Sequence, residues 1–153
     1  MNSVPSVHHI GVQTSDLDNC LKWYVEFFAV EQKWCLDRFS ELTHSRLPGI
    51  RRLIEVTAGS LRFHLFDRAH TTGAPADGLS YQFQHICLQV QTPDDLVTIR
   101  DRWIRLFESG SFAFARPDYP TDIVVDSDGV QSLYVFDVNG LEYEYSYIPD
   151  GPR

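Results

Sequence analysis

The sequence lacks the features that mark several common classes of protein. It holds three cysteines in 153 residues, an odd number at wide spacing, which predicts neither a disulfide framework nor a cysteine-rich zinc site. Acidic residues outnumber basic ones by 21 to 13, so the formal net charge is −8, and no run of Lys or Arg occurs. Nucleic acid and anionic membrane surfaces are therefore not expected as partners.

Long apolar stretches are also missing. No run approaches the ~20 residues that a membrane span needs, and no basic-then-apolar leader opens the sequence. With 43% hydrophobic and 13% aromatic residues, the chain has enough apolar mass for one ordinary domain, or for two small repeats that share a core. We expect a cytoplasmic location, where cysteines stay reduced.

One pattern occurs twice along the chain. In each half, a short alternating strand with a histidine precedes a helix-start signal, and a later strand carries a side chain that can bind metal. The opening strands hold His9 and His85, and the closing strands hold His64 and Glu144. A duplicated unit that supplies one ligand from its first strand and one from its last can build a four-ligand site where the copies meet.

Hydrophobic periodicity predicts the elements of the first module, about residues 7–68. Ser15, followed three residues later by Asp18, resembles a capping box, and the apolar residues that follow recur at helical spacing. Alternating and β-branched segments indicate strands. The prediction is a strand over 7–13, a helix over 16–29, strands over 34–38, 51–57 and 61–66, a loop over 45–49 and a turn at 58–60.

A small, polar segment rich in Gly and Pro, residues 69–80, predicts a linker, and the second module follows over about 81–148. Thr92 caps its helix and Pro93 takes the first helical position. Two Xaa-Gly pairs, Asp128-Gly129 and Asn139-Gly140, are typical of hairpin turns. The prediction is a strand over 82–90, a helix over 93–107, and a meander of strands over 122–126, 131–136 and 141–147. The fold class is α+β, with two tandem βαβββ modules.

Strand alternation places the metal-capable side chains on the face away from the helix-packing residues. A single strand histidine is more often a hydrogen-bonded structural residue than a ligand. The equivalent positions of His9, His85 and Glu144 in the two modules reverse that preference in favour of a metal site. His8 has the opposite parity and is expected to face the core.

These motifs resemble those of the vicinal oxygen chelate superfamily, which includes glyoxalase I, methylmalonyl-CoA epimerase, fosfomycin- and bleomycin-resistance proteins, and extradiol dioxygenases. Its His-Ile opening and Ser-Asp-Leu helix start match His9-Ile10 and Ser15-Asp16-Leu17. Its closing strand, Phe-x-Asp-Pro-x-Gly-x-x-x-Glu, resembles residues 134–144, with Val138 in place of the proline. The resemblance spans about residues 7–148. It implies a single domain, residues 1–153, whose modules form one cupped mixed sheet with helices outside, and a homodimer.

For the site, the resemblance implies a divalent metal ion held by His9, His85 and Glu144, with His64 as a candidate fourth ligand. Imidazole and carboxylate together suit Fe(II), Ni, Co, Zn or Mn. Relatives with four ligands usually carry Glu or Gln at the position of His64. Three roles therefore stay open for His64: a metal ligand, a proton-transfer group beside the metal, or a hydrogen-bond donor to a metal ligand. The spacing from Asp137 favours Glu144 over Glu142 as the carboxylate ligand.

Aromatic and thiol side chains outside the helices are candidates for the substrate site, because loop or sheet-face aromatics can stack on a flat substrate. Tyr134 joins His64 as a candidate catalytic residue. Phe112, Phe114 and Cys87 are candidates for the wall of a pocket that binds a small-molecule substrate.

Three functions remain open. The first is isomerase or lyase chemistry of the glyoxalase or epimerase kind, in which the metal chelates two adjacent oxygens of a small substrate and a pocket base moves a proton. The second is an Fe(II)-dependent extradiol-type dioxygenase acting on an aromatic or catecholic substrate; the upstream histidine of that signature is absent, since residues 125–127 occupy its window. The third is a metal-free drug-binding protein of the bleomycin-resistance type, against which the retained ligand set argues. The site could close within one chain or across a dimer.

Overall fold

The structure, a computed structural model, describes residues 4–68 and 83–150. The chain divides into two units, Met1–Thr72 and Gly73–Arg153. Each unit builds one four-stranded mixed sheet with its helices, which confirms the α+β class and the two βαβββ modules. The linker predicted over 69–80 lies outside the described residues, and the union of the modules in one cupped sheet stays a prediction.

Over residues 4–68, unit 1 contains four strands and two helices. They are β1 (Ile10–Thr14), α1 (Leu17–Phe28), β2 (Glu31–Leu36), α2 (Glu41–Arg46), β3 (Ile50–Ala58) and β4 (Leu61–Arg68). The sheet has the order β1-β4-β3-β2. Strand β1 runs parallel to β4, and the other pairs are antiparallel.

Helix α1 covers one face of the unit 1 sheet. Asp16 caps its N-terminus by accepting a hydrogen bond from the backbone N of Asn19 at 3.1 Å, so the cap lies one residue after the predicted Ser15. The rings of Tyr24 and Phe28 lie 5.2 and 4.9 Å from that of Phe63 on β4. All three side chains are buried. The core of unit 1 therefore lies between α1 and this face of the sheet.

Over its described residues, 83–150, unit 2 repeats the plan with one helix. Its elements are β5 (Ile86–Val90), α3 (Pro93–Glu108), β6 (Val124–Val125), β7 (Gln131–Phe136) and β8 (Glu142–Tyr147). The sheet has the order β5-β8-β7-β6, with β5 parallel to β8 and the other pairs antiparallel. The parallel pairing of first and last strands matches that of unit 1.

Helix α3 begins as the sequence predicts. Thr92 and Asp95 form a capping box, and Pro93 follows the cap. Trp103 and Leu96 are fully buried, and the indole Nε1 of Trp103 donates to the carbonyl of Phe136 at 2.7 Å. Both predicted glycine turns are also present, because Gly129 and Gly140 each have a φ of 83°, which glycine adopts without steric cost.

Some predicted boundaries were wrong. Helix α2 was missed, and residues 45 and 46, which were expected in a loop, belong to it; it has six residues and no buried side chain, so no apolar period reveals it. Strands β1 and β5 begin later than predicted, at Ile10 and Ile86, β2 is shifted to Glu31–Leu36, and β6 is shorter.

Among the described residues, no helix combines the length and the apolar character that a bilayer span requires.

Candidate functional site

The face of the unit 1 sheet opposite α1 carries polar side chains in one row. The strand register aligns Gly11 with His64, His64 with Glu55, and Glu55 with Trp34. Paired residues on neighbouring strands point to the same face of a sheet. His64 therefore lies away from its buried neighbours Phe63 and Leu65, on the face that strand alternation predicts.

A buried imidazole–carboxylate pair occupies the centre of this row. The Nε2 atom of His64 lies 2.9 Å from Oε2 of Glu55, and the two residues are only 9% and 5% exposed. Arg62 donates to the same carboxylate oxygen at 3.4 Å. The hydrogen bond from His64, the charge of Arg62 and a hydrogen bond from Trp34 hold the pKa of Glu55 below its ordinary value, against the opposing effect of burial. Glu55 is thus an anchored carboxylate.

Glu55 was missed by the sequence analysis. A signal was present, because the residue is a single carboxylate within the otherwise apolar run 53–56 of a predicted strand. Buried charges are rare unless they are paired. The identity of the partner, however, depends on the register between β3 and β4.

Three histidines of unit 1 lie close together. The ring of His9 stacks on that of His64, with centroids 3.7 Å apart and planes inclined by 11°. The Nδ1 atoms of His8 and His9 are 2.9 Å apart. One ring nitrogen from each of the three residues lies within 4.8 Å of the other two. Such a group of imidazole nitrogens is a donor set for a borderline divalent ion.

The environment of this cluster also affects its charge. Partial burial, together with the neighbouring His64 and His8, lowers the pKa of His9 below its ordinary value, so its imidazole is neutral at neutral pH and offers a lone pair. Arg62 donates to Nε2 of His8 at 3.0 Å. The prediction that His8 faces the core was wrong: it is exposed, because it precedes the first residue of β1 and strand alternation does not govern it.

Unit 2 has a corresponding polar row on the face opposite α3. Its register aligns Cys87 with Glu144 and Glu144 with Tyr134, so these three residues occupy the positions that Gly11, His64 and Glu55 occupy in unit 1. His85 precedes β5, and its Nε2 atom lies 2.9 Å from Oε2 of Glu144. The His85 ring also meets that of Tyr134 edge to face, with centroids 5.6 Å apart.

Glu144 is held as a carboxylate by several donors. The hydroxyls of Ser146 and Ser132 donate to its Oε1 at 2.8 and 3.2 Å. Burial raises the pKa of Glu144, but these two hydrogen bonds and the charge of His85 outweigh it and bring the pKa below its ordinary value. Burial and the charge of Glu144 raise the pKa of Tyr134. Tyr134 therefore stays protonated and can donate a hydrogen bond.

The second nitrogen of His85 has its own partner. Nδ1 of His85 contacts Oε1 of Gln84, and the amide of Gln84 donates to Glu142 at 2.8 Å. These hydrogen bonds through Gln84 orient the His85 ring so that Nε2 faces Glu144. The two glutamates of β8 therefore have different partners, since Glu142 contacts Gln84 and Glu144 contacts His85.

The predicted pocket residues lie in two places within unit 2. Cys87 is exposed on the polar face, in the row of Glu144. Phe114 is half-buried, and its ring packs 4.9 Å from Phe107 and 5.3 Å from Trp103, both on α3. Phe112 is half-buried in the same segment. A role for these three residues in a substrate pocket stays a prediction.

Comparison with solved structures identifies the fold. A glyoxylase/bleomycin resistance protein/dioxygenase domain from Frankia sp. EAN1pec superimposes with a TM-score of 0.75 at 16% identity, covering 98% of this chain and 96% of that one. A lactoylglutathione lyase from Agrobacterium tumefaciens gives 0.60 at 16% identity, with 95% and 96% covered. The fosfomycin resistance protein FosX from Listeria monocytogenes, complexed with Mn(II) and sulfate, gives 0.59 at 12% identity, with 96% and 95% covered.

No family model matches the sequence, and no curated protein matches it either. The likeness is therefore one of structure, and it extends over nearly the whole length of both chains. These neighbours include glyoxalase, lyase and fosfomycin-resistance proteins. The chain has the fold of the vicinal oxygen chelate superfamily.

Proposed function

We propose that the protein is a metal-dependent enzyme in which His9, His64, His85 and Glu144 bind one divalent ion. The observation that carries the proposal is the 2.9 Å separation of His85 Nε2 and Glu144 Oε2. Metal–ligand distances near 2.1 Å place neighbouring ligand atoms about 3 Å apart, so this pair is spaced for joint ligation. His9 and His64 lie next to each other in unit 1, where one ring nitrogen of each lies within 4.8 Å of the other.

The donor set fits a borderline divalent ion such as Fe(II), Ni, Co, Zn or Mn, because it combines imidazole nitrogen with carboxylate oxygen. When bound, such an ion supplies Lewis-acid chemistry that polarises two adjacent oxygens of a small substrate. The chain itself supplies the proton-handling groups. Tyr134 keeps its proton and can donate to a substrate oxygen. If His9, His85 and Glu144 alone hold the ion, His64 is the group we propose for moving a substrate proton.

We propose isomerase or lyase chemistry of the glyoxalase or epimerase kind as the reaction class. Two observations support it: the lactoylglutathione lyase among the structural neighbours, and Tyr134, which keeps its proton and whose ring lies edge to face with that of the proposed ligand His85.

An Fe(II)-dependent dioxygenase is the alternative. Two histidines and one carboxylate form the ligand set of many non-haem iron oxygenases, and His9, His85 and Glu144 are such a set. The missing upstream histidine of the extradiol signature weighs against it. A metal-free drug-binding protein is less favoured, because proteins of the bleomycin-resistance type usually lack the full ligand set, whereas His9, His85 and Glu144 are all present in this sequence.

Metal content and oxygen uptake distinguish these functions. The protein is purified without added metal, analysed for metal, reconstituted anaerobically with Fe(II), and assayed for oxygen uptake with catechols. Nickel, cobalt or zinc with exchange of a substrate proton supports the isomerase. Iron with oxygen uptake selects the dioxygenase. Tight binding of an aromatic ligand without stoichiometric metal contradicts the metal-dependent proposal.

Substitution of the ligands tests the site directly. His85→Ala and Glu144→Ala should each abolish tight metal retention, because each removes a ligand atom. His44→Ala is the matched control in an exposed helix position, and Glu26→Ala is the control for loss of an exposed carboxylate; both should retain the wild-type metal content. Equal losses in all four variants would contradict the assignment.

A further inference from the structure

We infer that Glu55 is a positioning residue that holds the His64 ring with its proton on Nε2. The Nδ1 atom is then the nitrogen of His64 that binds metal or accepts a substrate proton. The role of Nδ1 rests on the proposed function, whereas the orientation of the His64 ring depends only on contacts within unit 1. It assigns a role to a carboxylate that the sequence analysis did not single out.

The geometry of the pair supports this assignment. His64 and Glu55 are direct partners across β3 and β4, and 2.9 Å separates Nε2 from Oε2. An ionised carboxylate only accepts hydrogen bonds, and a neutral imidazole has one nitrogen that donates and one that accepts. In the neutral form of His64, the proton therefore lies on Nε2, which leaves the lone pair on Nδ1.

The carboxylate is itself fixed in place. Arg62 donates to the same Oε2 atom at 3.4 Å, and Trp34 donates a further hydrogen bond. With an exposed fraction of only 7%, the side chain of Glu55 has little access to water. Arg62 and Trp34 can only donate, so the carboxylate oxygens of Glu55 serve as acceptors in this cluster.

The faces of the His64 ring are also constrained. His9 stacks on it at 3.7 Å, and the Trp34 ring meets it edge to face at 5.1 Å. A rotation of the imidazole would break the bond to Glu55 and disturb both contacts. One orientation of His64, and hence one available nitrogen, is therefore favoured.

In unit 2, both ring nitrogens of His85 face acceptors. Nδ1 contacts Oε1 of Gln84, and Nε2 lies 2.9 Å from Oε2 of Glu144. Metal-binding histidines commonly donate their other ring N–H to a carboxylate or carbonyl, and loss of that partner typically lowers metal affinity about 10–100-fold. Glu55 supplies this contact in unit 1.

The proton position can be measured on the metal-free full chain. A long-range ¹H–¹⁵N spectrum is recorded after chelator treatment at about pH 8, above the ordinary pKa of histidine, with His64→Gln used to assign the signal. We expect His64 as the Nε2–H tautomer, with an Hε2 resonance that is shifted downfield and protected from exchange with water. A wild-type spectrum with the proton on Nδ1 would overturn the inference without any Glu55 variant.

Glu55→Gln keeps the size of the side chain and removes its charge. We expect the Hε2 resonance to move upfield and the dissociation constant for Co(II) to rise about 10–100-fold. Glu31→Gln is the matched control, because Glu31 is an exposed carboxylate of the same unit that pairs with Lys33; its resonance and affinity should equal those of wild type. Unchanged resonance and affinity in Glu55→Gln would refute the positioning role.

The outcomes separate this inference from the proposed function. Failure of His85→Ala and Glu144→Ala to release metal would refute the proposed ligand set, while the Hε2 resonance of metal-free protein would still report on Glu55. Conversely, a Nδ1–H tautomer would refute the role of Glu55 and leave the ligand test of unit 2 intact.

Discussion

The contact between Trp103 and strand β7 offers a quantitative test of how unit 2 holds its polar row. Tyr134 and Phe136 lie two residues apart on β7, so their carbonyls point to the same edge. Thr121 N donates to the carbonyl of Tyr134 at 3.0 Å, and Trp103 Nε1 donates to that of Phe136 at 2.7 Å. The indole thus satisfies an edge carbonyl close to a proposed catalytic residue.

Phe107 stacks on the Trp103 indole with ring centroids 5.1 Å apart. Trp103→Phe keeps an aromatic ring in this contact but removes the Nε1–H that donates to Phe136. Leaving a buried acceptor without a partner costs about 1–3 kcal/mol. The smaller ring also buries about 40 Å² less apolar surface, worth about 1 kcal/mol at ~25 cal/mol per Å². We expect the free energy of unfolding to fall by about 2–4 kcal/mol.

Urea denaturation followed by circular dichroism measures this change. Tyr119→Phe is the matched control: Tyr119 belongs to the same ring cluster, 6.0 Å from Trp103, but is 50% exposed and donates to Glu108 at 3.3 Å. Its removal at neutral pH should cost less than about 0.5 kcal/mol. Equal effects of the two variants, or a loss below about 1 kcal/mol for Trp103→Phe, would refute the reasoning.

Two further predictions concern charged groups. Asp67→Asn should lower the free energy of unfolding by about 1–3 kcal/mol, because the Asp67 side chain is 3% exposed and pairs with Arg51 at 2.6 Å. The control Asp18→Asn, at a 76% exposed carboxylate, should change this free energy by less than about 0.5 kcal/mol. Equal urea midpoints for the two variants would contradict the prediction. Burial and the charge of Glu108 raise the pKa of Tyr119, so its stabilising contribution is complete below its ordinary pKa of about 10 and is lost as the pH rises through the folded-state value. Tyr119→Phe should therefore lose less stability than wild type between about pH 9 and 11, and parallel losses in urea denaturation would argue against this.

Elements with a strong local signature could be predicted from the sequence. Helix α3 is the clearest case, because Thr92, Pro93 and the spacing of Leu96 and Trp103 all act within a few residues of the chain. The glycine turns at 129 and 140 are equally local. The short helix α2 could not be predicted, since its six residues bury no side chain and only the Ser40 cap marks it.

The site was predictable only in part. The faces of His64 and Glu144 follow from alternation within one strand, and the structure places each on the polar face of its sheet. The contact of His8 with His9 was not predictable, because alternation fails before the first paired residue of β1. The hydrogen bonds of Ser132 and Ser146 to Glu144 depend on which residues face each other across β7 and β8.

The amino-acid sequence by itself determined the duplicated βαβββ plan and the face on which each strand residue lies. Both depend on periodicities of burial that are local to a strand or helix. Only the tertiary structure decided that Glu55 meets His64 and that Gln84 and Glu144 take the two nitrogens of His85. These contacts depend on strand register and ring orientation, which arise from packing between residues distant in the chain.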